Sequence, residues 1–350
     1  IKIIISIMII KKGYCMKIIA TIFIIVFIFS INACDMIDDN SLSNENTKYK
    51  VKIALDWYPN ANHIGFFIAK NKGYFEEEGL DVTLYTPSDP STVLQTVGSG
   101  SDDFGVSYQP DVLLARAQDV PVVSVLGIVQ HPLNSIMSLK TSNIVTPKDL
   151  VGKKVGYPGI PTDEPLLETM LRADGSNGLN DVELINVGFN LSESLISGKV
   201  DAIIGAYWTH ESILMENKGY PVNIMKVQEW GVPDYYELVL VTNEDKINNN
   251  SRLVSSLINA LVKGFEDAIN EPQLGVDILV KESNEEIDES IDRPGADLLV
   301  EEWQDSSGGF GVQKLDKWQS FNNWMFNKGL LTKHIVAEDA FTNKFIKNNN

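Results

Sequence analysis

The residues that could do chemistry in this 350-residue chain gather in short stretches next to apolar runs. The first is ALDWYPNANHIGFFIAKNKGYF, residues 54 to 75, which sets Asp56, Trp57, Tyr58, Asn60 and His63 between a strand-like run and a helix-like one. An acid and a histidine could form an acid–base pair, and acid, amide and aromatic side chains together also suit a loop that grips a ligand. Asp56 or Asn60 could equally cap the helix that starts near Asn62. The second stretch, GAYWTHE, offers the flat faces of Tyr207 and Trp208 and, one helical turn on, the Glu211 carboxylate. Such a set can stack on a planar ring and accept hydrogen bonds from ring N–H or amino groups. The third, WGVPDYYELVLV, carries Tyr235 and Tyr236 behind a Gly, Pro and Asp turn, so one tyrosine is expected to face a ligand. SYQPD adds Ser107, Tyr108 and Gln109, and GIPTDEP sets Thr162 near a helix start.

These stretches need a frame. From about Lys50 the chain alternates strand-like and helix-like segments: VKIAL, HIGFFIAKNKGYF, DVTLYT, PSTVLQTVGSG, DFGVS, PDVLLARAQ and PVVSVLGIV. That rhythm predicts α/β architecture with an open, mainly parallel sheet and helices on both faces. A second series runs from SIMSLK through KVGYPG, DEPLLETMLRADG, VELINVG and NLSESLISGKV to DAIIGAYW. Two α/β lobes joined by strand-like crossings near 135–147 and 237–245 fit this order. One lobe then spans 50–140 and 243–350, the other 141–242. In open α/β sheets ligands sit beyond the carboxyl ends of the strands. Leu55 ends one strand and Gly205 another, which puts Asp56 to Asn60 and Tyr207 to Glu211 on facing rims. A strand turns neighbouring side chains to opposite faces, so one of Tyr207 and Trp208 belongs to the core unless the strand has already ended.

Composition excludes several functions. Residues 1–33 hold Lys2, Lys11, Lys12 and Lys17 and no acid; leaving them out gives 25 basic against 47 acidic residues, a net charge of −22. Such a surface repels nucleic acid and anionic lipid. The run IIATIFIIVFIFSINAC after Met16 and Lys17 has the charged start, short apolar core and small residue of a secretory signal; a spanning helix is the weaker reading, since that takes roughly 20 apolar residues, and residues 1–15 read as an extended start or, as the alternative, a second apolar segment. INAC resembles a bacterial lipobox that would make Cys34 a lipidated first residue, followed by a polar tether over 34–49. Cys15 and Cys34 are the two cysteines, so the body beyond them has no disulfide, thiolate metal site or cysteine nucleophile. His131, His210 and His334 show no metal-ligand spacing, and no metal or cofactor is expected.

ALDWYPNANHIGFFIAKNKGYFEEEGLDV, GSGSDDFGVSYQPDVLLARA, GKKVGYPGIPTDEPLLETML and DAIIGAYWTHE together resemble the bacterial thiamine-pyrimidine binding proteins. These are solute receptors of ABC importers, related to the fungal pyrimidine synthases of thiamine biosynthesis and to sulfonate receptors. The resemblance implies a type II periplasmic-binding fold, a monomer whose two lobes close over a formylaminopyrimidine-type precursor. It implies an ABC permease with a cytoplasmic ATPase as partner. Trp57 and the Tyr207–Trp208 pair match the family's aromatic contacts, Glu211 its pyrimidine-edge carboxylate, and Asp56 with Asn60 its polar rim.

Two rivals stay open. A synthase would use a histidine at the position of His63, but Ser107 stands where its pyridoxal-phosphate lysine would fall, and VPDYYELVL has no cysteine of its iron-associated segment. Without an amine no Schiff base forms there, so His63 reads as a ligand contact or helix-start residue. A receptor for riboflavin would use the same stacking, and one for a sulfonate would need donors such as those near Thr162.

Overall fold

The computed structural model describes residues 48–283, 287–305 and 309–346. The expected signal segment, the lipidation site Cys34 and nearly all of the tether lie outside the described residues. Among the described residues ten strands carry the fold: β1 (Tyr49–Ala54), β2 (Leu80–Tyr85), β3 (Phe104–Ser107), β4 (Val122–Val129), β5 (Asn134–Leu139), β6 (Lys154–Tyr157), β7 (Glu183–Asn186), β8 (Ala202–Tyr207), β9 (Val222–Lys226) and β10 (Leu238–Asn243). They form two five-stranded sheets, in the orders β2-β1-β3-β10-β4 and β7-β6-β8-β5-β9. The continuous run VVSVLGIV of β4 is buried along its whole length, as a strand covered on both faces must be.

Each sheet is mixed, where a mainly parallel one was expected. β1 pairs in parallel with β2 and β3, whereas β10 runs antiparallel to both β3 and β4. In the second sheet β6 is parallel to β7 and β8, and β5 is antiparallel to β8 and β9. The crossings also move. Residues 134–139 are strand within the second sheet and 238–243 strand within the first, so the chain passes between sheets at 130–133 and 231–237. Hydrophobic pattern located both strands but could not assign them to a lobe, because a fully paired strand and a crossing strand share the same apolar sequence.

The helix Ser251–Asn270 covers the first sheet beside the helix Ile64–Asn71. The two approach closely: a Cβ on Gly264 would lie 2.2 Å from the carbonyl oxygen of Gly65, so glycine is required at this crossing. The tail returns to the same sheet, with Trp303 in its core and Phe341 bridging to Ser124. The helix Asp163–Ala173 packs its Leu167 and Met170 with Val155 and Ile204 of the second sheet, and that sheet's Met137 and Ile203 pack with Leu191 and Leu195. No helix among the described residues is long and apolar enough to cross a membrane.

Candidate functional site

β1 ends at Ala54 and β8 at Tyr207, and the loops beyond these ends meet in one cavity between the two sheets. About 530 Å³ of non-atom space is lined by Asp56, Trp57, Asn60, Tyr108, Pro110, Asn134, Ile160, Thr162, Asp163, Leu166, Gly205, Tyr207, His210, Glu211, Tyr235 and Glu237. Four carboxyl groups line it, and no lysine or arginine does among the described residues.

The first rim is built by a local cap. Asn60 Oδ1 accepts from the Asn62 amide at 2.9 Å, and His63 Nδ1 accepts from the Asn60 amide at 3.2 Å, closing a reciprocal cap on the short turn Ala61–His63. With Nδ1 an acceptor, the imidazole hydrogen sits on Nε2 and is donated to Asp56 Oδ1 at 3.0 Å. Tyr108 donates its hydroxyl to Asp56 Oδ2 at 3.1 Å. His63 is therefore buried behind the cavity wall and orients Asp56 rather than lining the site.

The second rim carries Tyr207 and Glu211. Glu211 Oε2 accepts from the Tyr207 amide at 2.7 Å, and its Oε1 meets His210 Nδ1 at 3.1 Å. Burial pushes the His210 imidazole down, but the Glu211 charge and hydrogen bond more than offset this and hold its pKa above the ordinary value. Between the rims, Glu237 Oε2 accepts from the amides of Leu133 at 2.7 Å and Asn134 at 2.9 Å and from the Tyr235 hydroxyl at 3.1 Å. Its Oε1 accepts from the Tyr207 hydroxyl at 3.2 Å. Burial drives the Glu237 carboxyl up to about 7, against the pull of these four bonds. One carboxylate thus ties both connecting segments to the second rim.

Of the residues expected at the site, Asp56, Trp57, Asn60, Tyr108, Thr162, Tyr207, Glu211 and Tyr235 line the cavity, and His63, Ser107, Trp208 and Tyr236 do not. Trp208, the first residue past β8, turns away from the cavity that Tyr207 lines; its indole lies toward the Pro132 carbonyl at 3.4 Å under the Lys226 ammonium. Tyr236 points the other way from Tyr235, accepts from the Lys314 amide at 2.6 Å and packs on Trp318. Ser107, still inside β3, lines a separate cavity with Pro90 and Asp111.

Sequence reading missed Asn134, Asp163, Gly205, His210 and Glu237. Glu237 had a signal, an acid placed directly between two tyrosines and the buried strand β10. Asp163 looked like an ordinary first-turn acid of the helix Asp163–Ala173. Phe189 was also passed over. It follows β7 of the second sheet and packs on Trp57 and Tyr58 of the first rim, with ring centroids 4.4 and 4.6 Å apart.

Two α/β lobes that close an acid- and aromatic-lined cavity between the ends of their strands define the type II periplasmic-binding fold. The alkanesulfonate-binding protein SsuA from Xanthomonas axonopodis pv. citri superposes with a TM-score of 0.65 at 14% identity, over 84% of this chain and 98% of that one. The chain belongs to the NMT1/THI5-like family, whose model matches residues 60–274. It is 37% identical over 329 residues to the formylaminopyrimidine-binding protein of Halalkalibacterium halodurans, covering 93% of this chain and 98% of that protein. It is 30% identical over 237 residues to a 4-amino-5-hydroxymethyl-2-methylpyrimidine phosphate synthase of Saccharomyces cerevisiae, covering 64% of this chain and 68% of the synthase.

Proposed function

We propose that the protein is the extracytoplasmic solute-binding component of an ABC importer and captures a pyrimidine precursor of thiamine. The observation that carries this is the cavity wall, where Trp57, Tyr207 and Tyr235 surround carboxyl groups with no lysine or arginine among them. Such a wall stacks on a flat heterocycle and accepts its N–H groups, and it offers an anion no compensating charge. The identity to the formylaminopyrimidine-binding protein over nearly the whole of both chains supports the same ligand class. Ser107, which stands where the resemblance to the synthases would put their lysine, has no amine and supports binding without catalysis.

Glu211 is the edge-reading carboxylate in this proposal, with Asp56, Trp57, Asn60, Tyr108, Thr162, Tyr207 and Tyr235 as the surrounding contacts. Closure by rotation about residues 130–133 and 231–237 brings the rims together, and the closed monomer docks on a permease driven by a cytoplasmic ATPase. Export through the segment 1–33 and lipid anchoring at Cys34 place it on the outer side of the cytoplasmic membrane.

A thermal-shift and native mass spectrometry screen against formylaminopyrimidine, hydroxymethylpyrimidine, thiamine, riboflavin and taurine tests the ligand class. Stabilisation by the pyrimidines is expected. A response to taurine alone refutes the reading, and one to riboflavin alone redirects it to a larger heterocycle.

A further inference from the structure

Among the carboxyl groups lining the cavity, Asp163 stands apart. Its side chain is 1% exposed, yet Oδ2 has no hydrogen-bond partner. Orphaned acceptors at such burial are uncommon and require a cause. The neighbouring atoms fix the group. The Gly205 amide donates to Asn134 Oδ1 at 3.1 Å, which orients the Asn134 amide so that Nδ2 donates to Asp163 Oδ1 at 3.0 Å. Gly205 itself, at φ +88°, leaves room that a side chain would fill: a Cβ there would lie 2.7 Å from the Pro158 ring and 3.3 Å from Asp163 Oδ2. One oxygen of Asp163 is thus held in place and the other is left without a donor at the wall of the cavity.

The nearest hydroxyl and amide donors of the wall are engaged elsewhere. The hydroxyl of Tyr108 is committed to Asp56, those of Tyr207 and Tyr235 to Glu237 and that of Thr162 to Asp111, and one hydrogen of the Asn134 amide already goes to Asp163 Oδ1. Oδ2 is therefore open to a hydrogen from whatever fills the cavity. We propose that Asp163 is a ligand-contacting, specificity-determining residue whose Oδ2 accepts an N–H from an amino-substituted heterocycle. This deepens the pyrimidine-precursor reading and rests on it. Glu211 and Asp163 then read the ligand from the same lobe, one from the loop after β8 and the other from the start of the helix Asp163–Ala173. Burial also holds the Asp163 carboxyl well above the usual range, and the nearby charges of Asp111 and Glu237 add to this. A ligand N–H is the group that would relieve that burden on the charged form.

The test is a double-mutant cycle between protein and ligand. Calorimetric affinities are measured for the wild type and for Asp163→Asn, with Asp163→Ser as a second variant should the first fold poorly, folding being checked by thermal melting. The ligands are 4-amino-5-hydroxymethyl-2-methylpyrimidine and the same compound without its amino group. The wild type is expected to lose at least about tenfold in affinity with the amino group, since a site built around an N–H rejects the analogue lacking it. In the Asp163 variants that penalty should fall to about threefold or less. A penalty of unchanged size in the variants, with or without a general loss of affinity, assigns Asp163 a purely structural role and overturns the proposal. Equal binding of both compounds by the wild type overturns it as well. Failure of the wild type to bind either compound, with another heterocycle binding in the same assay, refutes the pyrimidine reading itself.

Discussion

Phe189 and Trp57 meet across the cleft with ring centroids 4.4 Å apart and planes tilted by 60°, one from the loop after β7 and the other from the loop after β1. Neither ring has the other as a neighbour in sequence, so the contact exists only when the two rims are together. An aromatic pair of this kind contributes about 0.5–1.5 kcal/mol beyond its area. Phe189→Ala should therefore speed ligand dissociation by roughly three- to tenfold, about 0.7–1.4 kcal/mol, with a smaller change in association. Stopped-flow kinetics reads both rates, and an unchanged dissociation rate removes Phe189 from the closing contacts.

Glu211→Gln keeps the shape of the side chain and replaces an ionic acceptor by a neutral amide. Binding should weaken by roughly 1.5–3 kcal/mol, the loss of one charge-assisted hydrogen bond. Calorimetry on the pyrimidine ligand measures it. Unaltered affinity would rule Glu211 out as the edge reader.

His63 bonds to Asp56 and to the Asn60 amide behind the wall. His63→Ala strands both buried groups, a loss of about 1–3 kcal/mol each before relaxation. A clear drop in melting temperature is expected without ligand. Were His63 instead a ligand contact alone, unliganded melting would stay within error of the wild type.

Asp111 and Glu237 are both held at about 7 by burial, above ordinary values of 3.8 and 4.5. A raised pKa in the folded state means that the folded chain binds protons which the unfolded chain has released. This stabilisation is complete below about pH 4 and is lost as pH rises through 7, at up to about 1.4 kcal/mol per pH unit for each group. Asp111→Asn should flatten the decline in melting temperature between pH 5 and 7.5. That window lies above the range in which Asp102 and Asp149, with lowered pKa values, lose their charge. An identical slope in the variant would show that Asp111 does not titrate there.

Much of the first rim was legible because it is local. A strand that ends at Ala54, an Asn–Ala–Asn–His cap and a helix from Ile64 fix where Asp56 and Trp57 stand within ten residues of chain. Alternation offered only a conditional rule for Tyr207 and Trp208, since it lapses where a strand ends, and β8 ends at Tyr207. The sheet positions of β5 and β10 were not legible, since nothing in NSIMSL or LVLVTN distinguishes membership of one sheet from the other.

The sequence by itself determined the βα order, the acidic character and the two aromatic–acid stretches that become opposite rims, because each follows from composition or from periods of two and 3.6 residues. Only the tertiary structure decided that Glu237 gathers Leu133, Asn134 and Tyr207, that Phe189 closes on Trp57, and that Asp163 keeps one oxygen unfilled. Those facts depend on contacts between residues from about 30 to more than 100 positions apart, set by how the two sheets pack, and no local pattern encodes a partner at that distance.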